Sequence, residues 1–596
     1  LAIVTVAFSE IVRFTMMSRT FQTFTVPDTI DLWLFTFDPT ADTVGLGGGG
    51  GLILNYTDPL EALLRTLFLW EPYLAFVALV QRTLIPNNPK PVIDGLLYGV
   101  LLLVGVGLFY VLLSRTGKSP FGRVLKAIRE DEDVANALGK DTDRFKLTAF
   151  VLGAALMGLG GVLWYSSRGS ITPPSFRPNI TFFVWIALII GGAGSNTGSF
   201  LGGAIFAGLL YEGPRYFKNL VETAFELGDA PRNFGEAMAG FASLDPMPFV
   251  LYTLDSVSQL RLVIMGVVLI WLMHNRPEGL LGHRKETAST VDLRRPSTDG
   301  TSGEERAGGG GGGGWRAMCE TGLTDVMETE TDAPSGDHDG RYAPLEVEGL
   351  RKEFGGIVAV EDVSFDVEEG TLTGLIGPNG AGKSTTFNLI TGMLDPTAGT
   401  VRFNGEDITG FQPHEIANRG LARTFQIARE LEEMTVLENM MLAPKGQVGE
   451  SLWRSVMPMA RGSVREQEAE QLERVWEVLD FFEIDHLADE YAGNLSGGQR
   501  KLLEMARALL TDPDVMLLDE PFAGVNPTLE KRLLEHIHEL REQGYTFLIV
   551  EHDMDLIMNN CERVIVMHQG RILKDGTPTE IKESEEVIEA YLGGEV

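Results

Sequence analysis

The chain is poor in the residues that build several common kinds of site. Of 596 residues only Cys319 and Cys561 are cysteine. That excludes a disulfide framework and a cysteine-based zinc site. Histidine is sparse as well: His486, His536, His538 and His568 show no metal-ligand spacing. His536 and His538 are two apart and do not share a helical face, so all four are read as surface or packing residues. Basic charge is in deficit, with 49 Lys and Arg against 82 Asp and Glu, a net of −33. Most of the excess lies between Arg341 and Val596, where 47 acidic and 23 basic residues leave −24. Such a surface argues against nucleic acid as a partner. It points to a salt-loving source, in which acidic surfaces keep proteins soluble. The first residue is Leu1 and no charged n-region follows, so no signal peptide is read.

What the first half has is long apolar runs. A chain of this length is expected to hold two or more domains, and its apolar residues are unevenly spread. Runs approaching the ~20 residues needed to cross a bilayer are Gly95–Leu113, Leu147–Tyr165 and Leu262–Met273. Phe182–Tyr211 is a further run, broken by the glycine-rich stretch Gly191–Gly198. Leu67–Ile85 is weaker, since Glu71 and Arg82 interrupt it, and Leu1–Met17 looks like the tail of a span. A soluble helix bundle would show polar faces that these runs lack. The loop Ser114–Lys146 holds eight Lys and Arg residues, and Arg276, Arg284 and Lys285 follow the last run. Basic loops stay cytoplasmic. Two crossings in the broken run would make four between the two basic regions and put both on that side.

Two polar stretches interrupt the pattern. Between Met17 and Leu67 lies a piece containing Gly47–Gly51, read as an external loop, pore-lining backbone or a floppy connection. Glu286–Gly340, rich in Ser, Thr, Gly, Asp and Glu and containing Gly308–Gly314, reads as a flexible, disordered tether. Cys319 lies in it without an assigned role. Met318 and Met327 stand where a separate reading frame could begin, so a natural fusion and two joined frames both stay open.

The second half alternates β-rich and helical patterns, as an α/β nucleotide-binding domain should. GPNGAGKST, Gly377 to Thr385, fits the P-loop pattern between an apolar strand, Leu372–Ile376, and a helix read from Thr386 to Met393. Gly377, Asn379, Gly380 and Gly382 let backbone N–H groups curl round phosphates, and the helix N-terminus adds positive potential. Lys383 reaches the β- and γ-phosphates, Ser384 sits on Mg²⁺, and Thr385 completes the motif. VMLLDE, Val515 to Glu520, is an apolar strand ending in two carboxylates. Asp519 then holds Mg²⁺ and Glu520 faces the attacking water. In LSGGQ, Leu495 to Gln499, the residues Ser496, Gly497, Gly498 and Gln499 open a helix running to Leu510 and expose N–H groups suited to a γ-phosphate.

The first half resembles the permeases of branched-chain amino acid ABC importers, most closely the M-type. The residues that carry this are Gly122–Gly139, Thr142–Thr148, Gly191–Gly194, Gly198–Gly203 and Arg276–Gly282. The stretch Ala7–Arg13 looks like an interior piece of that family, so its first spans are expected to be missing. The second half resembles the G-type ATPase of the same importers, on Leu421–Gln426, Glu433–Asn439, Glu520–Pro527, Glu551–Met554 and Ala590–Gly593. This resemblance makes Gln426 the Q-loop residue that touches Mg²⁺ and faces the permease. It makes His552 the switch histidine on the γ-phosphate and Phe354 the aromatic that stacks on adenine. LSGGQ becomes the signature that faces the P-loop of a second ATPase. Asn526 stands where ABC ATPases usually carry Asp.

The expected fold is a polytopic α-helical membrane domain plus an α/β P-loop NTPase domain. Residues 1–285 are read as permease, 286–340 as linker and 341–596 as the ATP-binding domain. The implied activity is ATP-driven uptake of branched-chain amino acids, with urea, short amides or aromatic acids as alternative substrates. An exporter or a soluble ABC ATPase is a more distant reading. The implied partners are an H-type permease, an F-type ATPase or second ABC domain, and an extracellular binding protein. The implied place is the cell membrane, with the ATPase cytoplasmic. Val124–Leu138 is expected to be a short helix that docks in a groove near Phe425 and Gln426. Its apolar contacts would be Val124, Ile128, Val134 and Leu138, with Ala127, Ala135 and Ala137 allowing close approach.

Overall fold

The computed structural model describes residues 30–32, 35–37, 52–53, 64–65, 68–83, 90–166, 170–171, 178–192, 194–208, 213, 233–242, 247–276, 279–281, 342–426 and 428–592. The expected run Leu1–Met17, the Gly47–Gly51 stretch and the tether Glu286–Gly340 lie outside them. The chain forms two compact units. One is Leu1–Ser114 with Leu152–Glu286, and the other is Arg115–Val151 with Thr287–Val596. The basic segment within the permease-like half therefore packs with the ATPase-like half.

In the first unit, apolar sequence becomes long helix. The helices are α1 (Trp70–Thr83) and α2 (Lys90–Gly117), followed beyond the basic segment by α5 (Thr142–Ser166), whose first turns lie in the second unit. Then come α6 (Pro178–Gly191), α7 (Asn196–Ile205), α8 (Phe234–Ala242) and α9 (Met247–Asn275). Among the described residues two helices are long and apolar enough to cross a membrane, Ile93–Gly117 and Thr142–Val162. At 14 residues, α1 is about 21 Å long, short of the ~30 Å hydrocarbon core. Large apolar side chains stand exposed on α2 and α5, such as Leu103 at 69% and Met157 at 73%. That pattern suits lipid rather than water.

The broken run becomes a bent pair, with α6 and α7 turned through 119°. A Cβ on Gly191 would lie 1.9 Å from the Gly198 carbonyl oxygen, and one on Gly202 would lie 2.2 Å from that of Ala187. Only hydrogen fits at these contacts, so glycine lets the two backbones touch. The N–H groups of Leu280 and Leu281 donate to the carbonyls of Ile190 and Gly191, both at 3.0 Å. Three separate glycine-bearing segments thus meet at one node.

The second unit begins with α3 (Pro120–Glu130) and α4 (Glu132–Ala137). Where one short helix was expected there are two, with a corner at Asp131. The Asp131 backbone is extended, at φ −149°, and its carboxylate accepts from the N–H groups of Asp133 and Val134 at 3.0 and 3.2 Å. A capping carboxylate ends one helix and restarts the chain in a new direction.

The ATPase body has two sheets. The antiparallel one contains β1 (Leu345–Phe354), β2 (Ile357–Val367), β4 (Ala398–Phe403) and β5 (Glu406–Asp407), in the order β2-β1-β4-β5. The six-stranded one contains β3 (Leu372–Ile376), β6 (Leu421–Arg423), β7 (Val515–Asp519), β8 (Thr546–Val550), β9 (Arg563–His568) and β10 (Arg571–Gly576). Its order is β6-β7-β8-β3-β9-β10, parallel except for the last pair. Every residue of β3, β7 and β8 is buried, as parallel strands covered on both faces require.

Alternation along these strands serves two cores. Val515, Leu517, Leu548 and Val550 face the antiparallel sheet. Met516, Leu518, Phe547 and Ile549 face the helices. Those helices include α11 (Val436–Leu442), α12 (Arg461–Phe481), α13 (Gly497–Leu509) and α14 (Pro527–Glu542), whereas α10 (Lys383–Ile390) packs on the other face, its Phe387, Leu389 and Ile390 sharing the core of the antiparallel sheet. P-loop residue Lys383 opens α10, three residues earlier than the sequence suggested.

The helix-side core also takes in Phe121, Val124, Ala127, Val134, Ala135 and Leu138. They share it with Phe425, Met434, Val436 and Leu437. Ile128 packs against this core half-buried. Charge reinforces the docking. Arg123 is buried, and its Nη2 lies 2.5 Å from Glu468 Oε1 on α12 while Nη1 donates to the Met441 carbonyl at 3.0 Å. Lys140 Nζ donates to Glu450 Oε1 at 2.6 Å and to the Pro444 carbonyl at 2.9 Å.

Candidate functional site

Parallel α/β sheets bind ligands beyond the carboxyl ends of their strands. Here β3, β8 and β7 are neighbours, so the loops that follow them share one edge. After β3 comes the glycine loop. A Cβ on Gly377 would sit 2.2 Å from the Met567 carbonyl oxygen, so the first loop residue must be glycine. Gly382, with φ 104°, then caps α10. The first N–H groups of that helix have no intrahelical partner and form an anion-binding end.

Lys383 is buried at the start of α10, and its Nζ donates to the carbonyls of Gly377 and Pro378 at 2.6 and 3.2 Å. Burial pulls its ammonium below the usual lysine range, against the attraction of Glu520 and Asp519. Ser384, Asn379 and Gly380 are exposed at the rim, and Thr385 is half-buried.

After β7 the two carboxylates part company. Asp519 is 2% exposed, and burial pushes its pKa up while the neighbouring Arg423 guanidinium opposes the shift. Its Oδ2 accepts from Arg423 Nη2 at 3.2 Å, and its Oδ1 is buried without a hydrogen-bond partner. An orphaned buried carboxylate oxygen is costly unless something binds it. With the Ser384 hydroxyl on α10, this donor set fits a Mg²⁺ ion held between protein oxygens and phosphate. Among the described residues no group of three His, Cys, Asp or Glu could hold a metal by itself.

Glu520 turns away from Asp519. Its φ is 49°, a left-handed conformation that costs a bulky residue energy and gathers at functional sites. A hydrogen bond from its N–H to the Val550 carbonyl on β8, at 2.9 Å, holds that turn. Glu520 Oε1 then meets His552 Nε2, from the loop after β8, at 2.6 Å. The pair joins a carboxylate and an imidazole that sequence order separates by 32 positions.

Other expected residues lie apart from this centre. Ser496 caps α13 and Gln499 closes the capping box, its Oε1 accepting from the Ser496 N–H at 2.9 Å. Gln499 therefore shapes the helix end, and Gly497 and Gly498 follow the cap on its first turn. No hydrogen bond or ion pair among the described residues joins this end to Lys383, Asp519 or Glu520. Phe354 stands 44% exposed at the end of β1, with Lys352 Nζ 5.2 Å from its ring centroid. Gln426 is exposed beside the buried Phe425. Asn526 caps α14 by accepting from the Leu529 N–H at 2.9 Å. His536 is a packing residue between Phe481 and Phe482, at 4.8 and 5.1 Å.

Sequence reasoning missed the residues that hold these groups. Arg423 ties Asp519 to Asn388 and Thr391 near the end of α10, at 2.6 and 3.0 Å. Thr424 Oγ1 accepts the Asp519 N–H. Glu551 is buried, with its pKa pushed up by burial, and accepts from the N–H groups of Phe522 and His552. The one available signal was adjacency: Arg423 and Thr424 lie just before Gln426, and Glu551 just before His552.

Three family models match the chain. Residues 1–273 match the family model described as the permease component of branched-chain amino acid transport systems. Residues 360–523 match the ABC transporter model, and residues 574–596 match the branched-chain amino acid ATP-binding cassette transporter model. A probable branched-chain amino acid transport ATP-binding protein LivG of Archaeoglobus fulgidus is 43% identical over 251 residues, which is 42% of this chain and 96% of that protein. The chain belongs to the branched-chain amino acid ABC transporter family.

The corresponding BraF protein of Pseudomonas aeruginosa, a high-affinity branched-chain amino acid transport ATP-binding protein, is 41% identical over 250 residues, 42% of this chain and 97% of its own. Among solved structures, a nucleotide-free ATP-binding cassette from an ABC transporter is 38% identical, covers 42% of this chain and 99% of its own, and has a TM-score of 0.37. The family assignment makes the second unit an ABC ATPase whose ATP hydrolysis drives transport, and the first a permease domain with apolar helices.

Proposed function

We propose that the chain is the permease–ATPase subunit of an importer that takes leucine, isoleucine or valine across the cell membrane at the expense of ATP. The observation that carries this reading is the burial of α3 and α4 in the core of the ATPase unit. A segment matched by the permease model is built into the machine that hydrolyses ATP.

At the nucleotide site, Lys383 exchanges the Gly377 and Pro378 carbonyls for β- and γ-phosphate oxygens, while the glycine loop and the start of α10 hold the rest. Ser384, Asp519 and Gln426 hold Mg²⁺, which when bound neutralises charge between the phosphates. Glu520 accepts the proton of the attacking water, and His552, 2.6 Å away, steadies that carboxylate and reaches the γ-phosphate. Phe354 offers its exposed face to adenine. Ser496, Gly497, Gly498 and Gln499 serve a second ATPase domain, whose closure buries both nucleotides.

Residues 1–285 act as permease and 341–596 as ATPase, joined by a tether over 286–340. Read as a turn back to the side on which it starts, the 119° bend between α6 and α7 leaves an even number of crossings between the two basic regions. Both then lie in the cytoplasm with the ATPase. The partners are an H-type permease, an F-type ATPase and an extracellular binding protein. The acidic surface suits a salt-loving cell.

The test is ATPase activity of the reconstituted assembly with its binding protein, across leucine, isoleucine, valine, urea, short amides and aromatic acids. Stimulation by the branched-chain acids is expected. Stimulation by urea, amides or aromatic acids alone overturns the substrate, and no stimulation by any of them overturns the importer reading.

A further inference from the structure

Three charged residues on the signature helix hold one loop. Lys501, Glu504 and Arg507 are spaced at three-residue intervals on α13, on one face, and all three are buried. Lys501 Nζ donates to the carbonyls of Phe425 and Gln426, both at 3.0 Å. Glu504 Oε1 accepts from the Phe425 N–H at 2.6 Å. Arg507 Nη2 donates to the Arg429 carbonyl at 2.9 Å, and its Nη1 to Asn439 Oδ1 at 3.2 Å. Buried charges are costly unless paired, so each fixes the backbone it holds. The loop that carries Gln426 is thereby tied to the helix that carries the signature.

The same loop reaches the docked segment. Arg429 Nη1 donates to Asp133 Oδ2 at 2.7 Å and lies 3.4 Å from both Asp131 oxygens. Its guanidinium stacks over the Phe425 ring at 4.8 Å. Asp131 is the corner between α3 and α4. A half-exposed ion pair contributes little to stability, but it can set direction. It joins a charged side chain on this loop to the corner itself, beside the Glu433–Arg129 pair that ties the same loop to the last turn of α3.

We propose that Arg429 is a positioning residue that makes the signature helix and the Asp131 corner move together, through the loop held by Lys501, Glu504 and Arg507. The proposal rests on the reading of α3 and α4 as the permease's contact with its ATPase. It adds the residues through which displacement passes, since packed elements shift as units.

The experiment uses the full chain reconstituted with its partner subunits in lipid nanodiscs. Amide hydrogen exchange is followed at Val134–Leu138 and at the glycine loop, with and without Mg-ATP. In the wild type ATP is expected to change exchange at both places. Arg429→Gln should keep the change at the glycine loop and lose it at Val134–Leu138, and Arg429→Lys should retain part of it. Asp133→Asn should act alike, and the double variant should be no worse than Arg429→Gln alone, the mark of a shared interaction. Transport-coupled ATPase should fall by roughly two- to thirty-fold, the range for residues that modulate coupling, with melting and basal turnover unchanged. A wild-type response at Val134–Leu138 in Arg429→Gln overturns the proposal, as does strict additivity of the two variants. Because exchange needs no transported substrate, a wrong substrate assignment would leave this result standing.

Discussion

The two units of the molecule treat the same apolar side chains in opposite ways. On α2, Leu103 stands 69% exposed, while on β7 Leu518 is fully buried. Neither sequence run is more apolar in kind; the difference lies in what surrounds it. A span in lipid needs no protein partner for its side chains, whereas a strand in water must be covered on both faces. The segment Pro120–Ala137 crosses this division. It lies between two spans, yet Val124, Ala127, Val134 and Ala135 are buried as fully as the strands. Exposure in one unit and burial in the other are therefore both signs of function.

The strongest way to sharpen the comparison is at the nucleotide site of the ATPase unit. Glu520→Gln should leave ATP binding intact and slow hydrolysis by ~10²-fold or more, the usual contribution of a general base. Single-turnover hydrolysis in the assembled transporter checks this, and wild-type turnover would remove Glu520 from its role.

Next comes the boundary segment. Glu468→Ala leaves the buried Arg123 guanidinium without its carboxylate, which typically costs 3–5 kcal/mol, whereas the paired change Arg123→Met with Glu468→Leu should be close to neutral. Denaturant titration of the full chain separates the two outcomes. Equal effects would mean that the pair is solvated.

A direct test of the two environments follows. Leu518→Ala should cost about 2–5 kcal/mol, as buried leucines do. Leu103→Ala should leave the melting temperature of the ATPase unit in place. If both variants melt alike, the contrast between the units is wrong.

The smallest effect concerns Cys561, which burial pushes up to about 12 from an ordinary 9.0. The neutral thiol is favoured in the folded state. As pH rises past about 9, the unfolded thiol ionises while the folded one does not, so stability falls until the folded value is reached. At pH 10 the loss is about 1 kcal/mol, measured as the difference between the wild type and Cys561→Ala. Alkylation at pH 8 should spare Cys561 until the chain unfolds.

Much of the site was legible because its chemistry is local. A glycine loop between a strand and a helix, two carboxylates after an apolar strand and a histidine after another are all contiguous in sequence. The pairing of strands then brings their ends together. Less legible was how the two carboxylates differ. Asp519 and Glu520 are neighbours in the chain. Only the bond from the Glu520 N–H to Val550 and the approach of Arg423 to Asp519 give one an imidazole and the other a guanidinium. Arg423, Glu504 and Arg507 look like surface charges until the fold buries them.

By itself the sequence determined the apolar spans, the P-loop and its companion motifs, and a basic segment between two spans. Each is a property of a short run of residues, set by side-chain type and spacing. Tertiary structure decided that Pro120–Ala137, whose docking near Phe425 the sequence already suggested, turns at Asp131, and that glycine segments apart in the chain meet at Gly191, Gly198 and Leu280. The Asp131 turn is held by N–H groups two and three residues on, but the docking of that segment and the bonds of Leu280 and Leu281 to Ile190 and Gly191 depend on contacts between residues tens to hundreds of positions apart. Such contacts form only when complementary shapes and charges are brought to the same place.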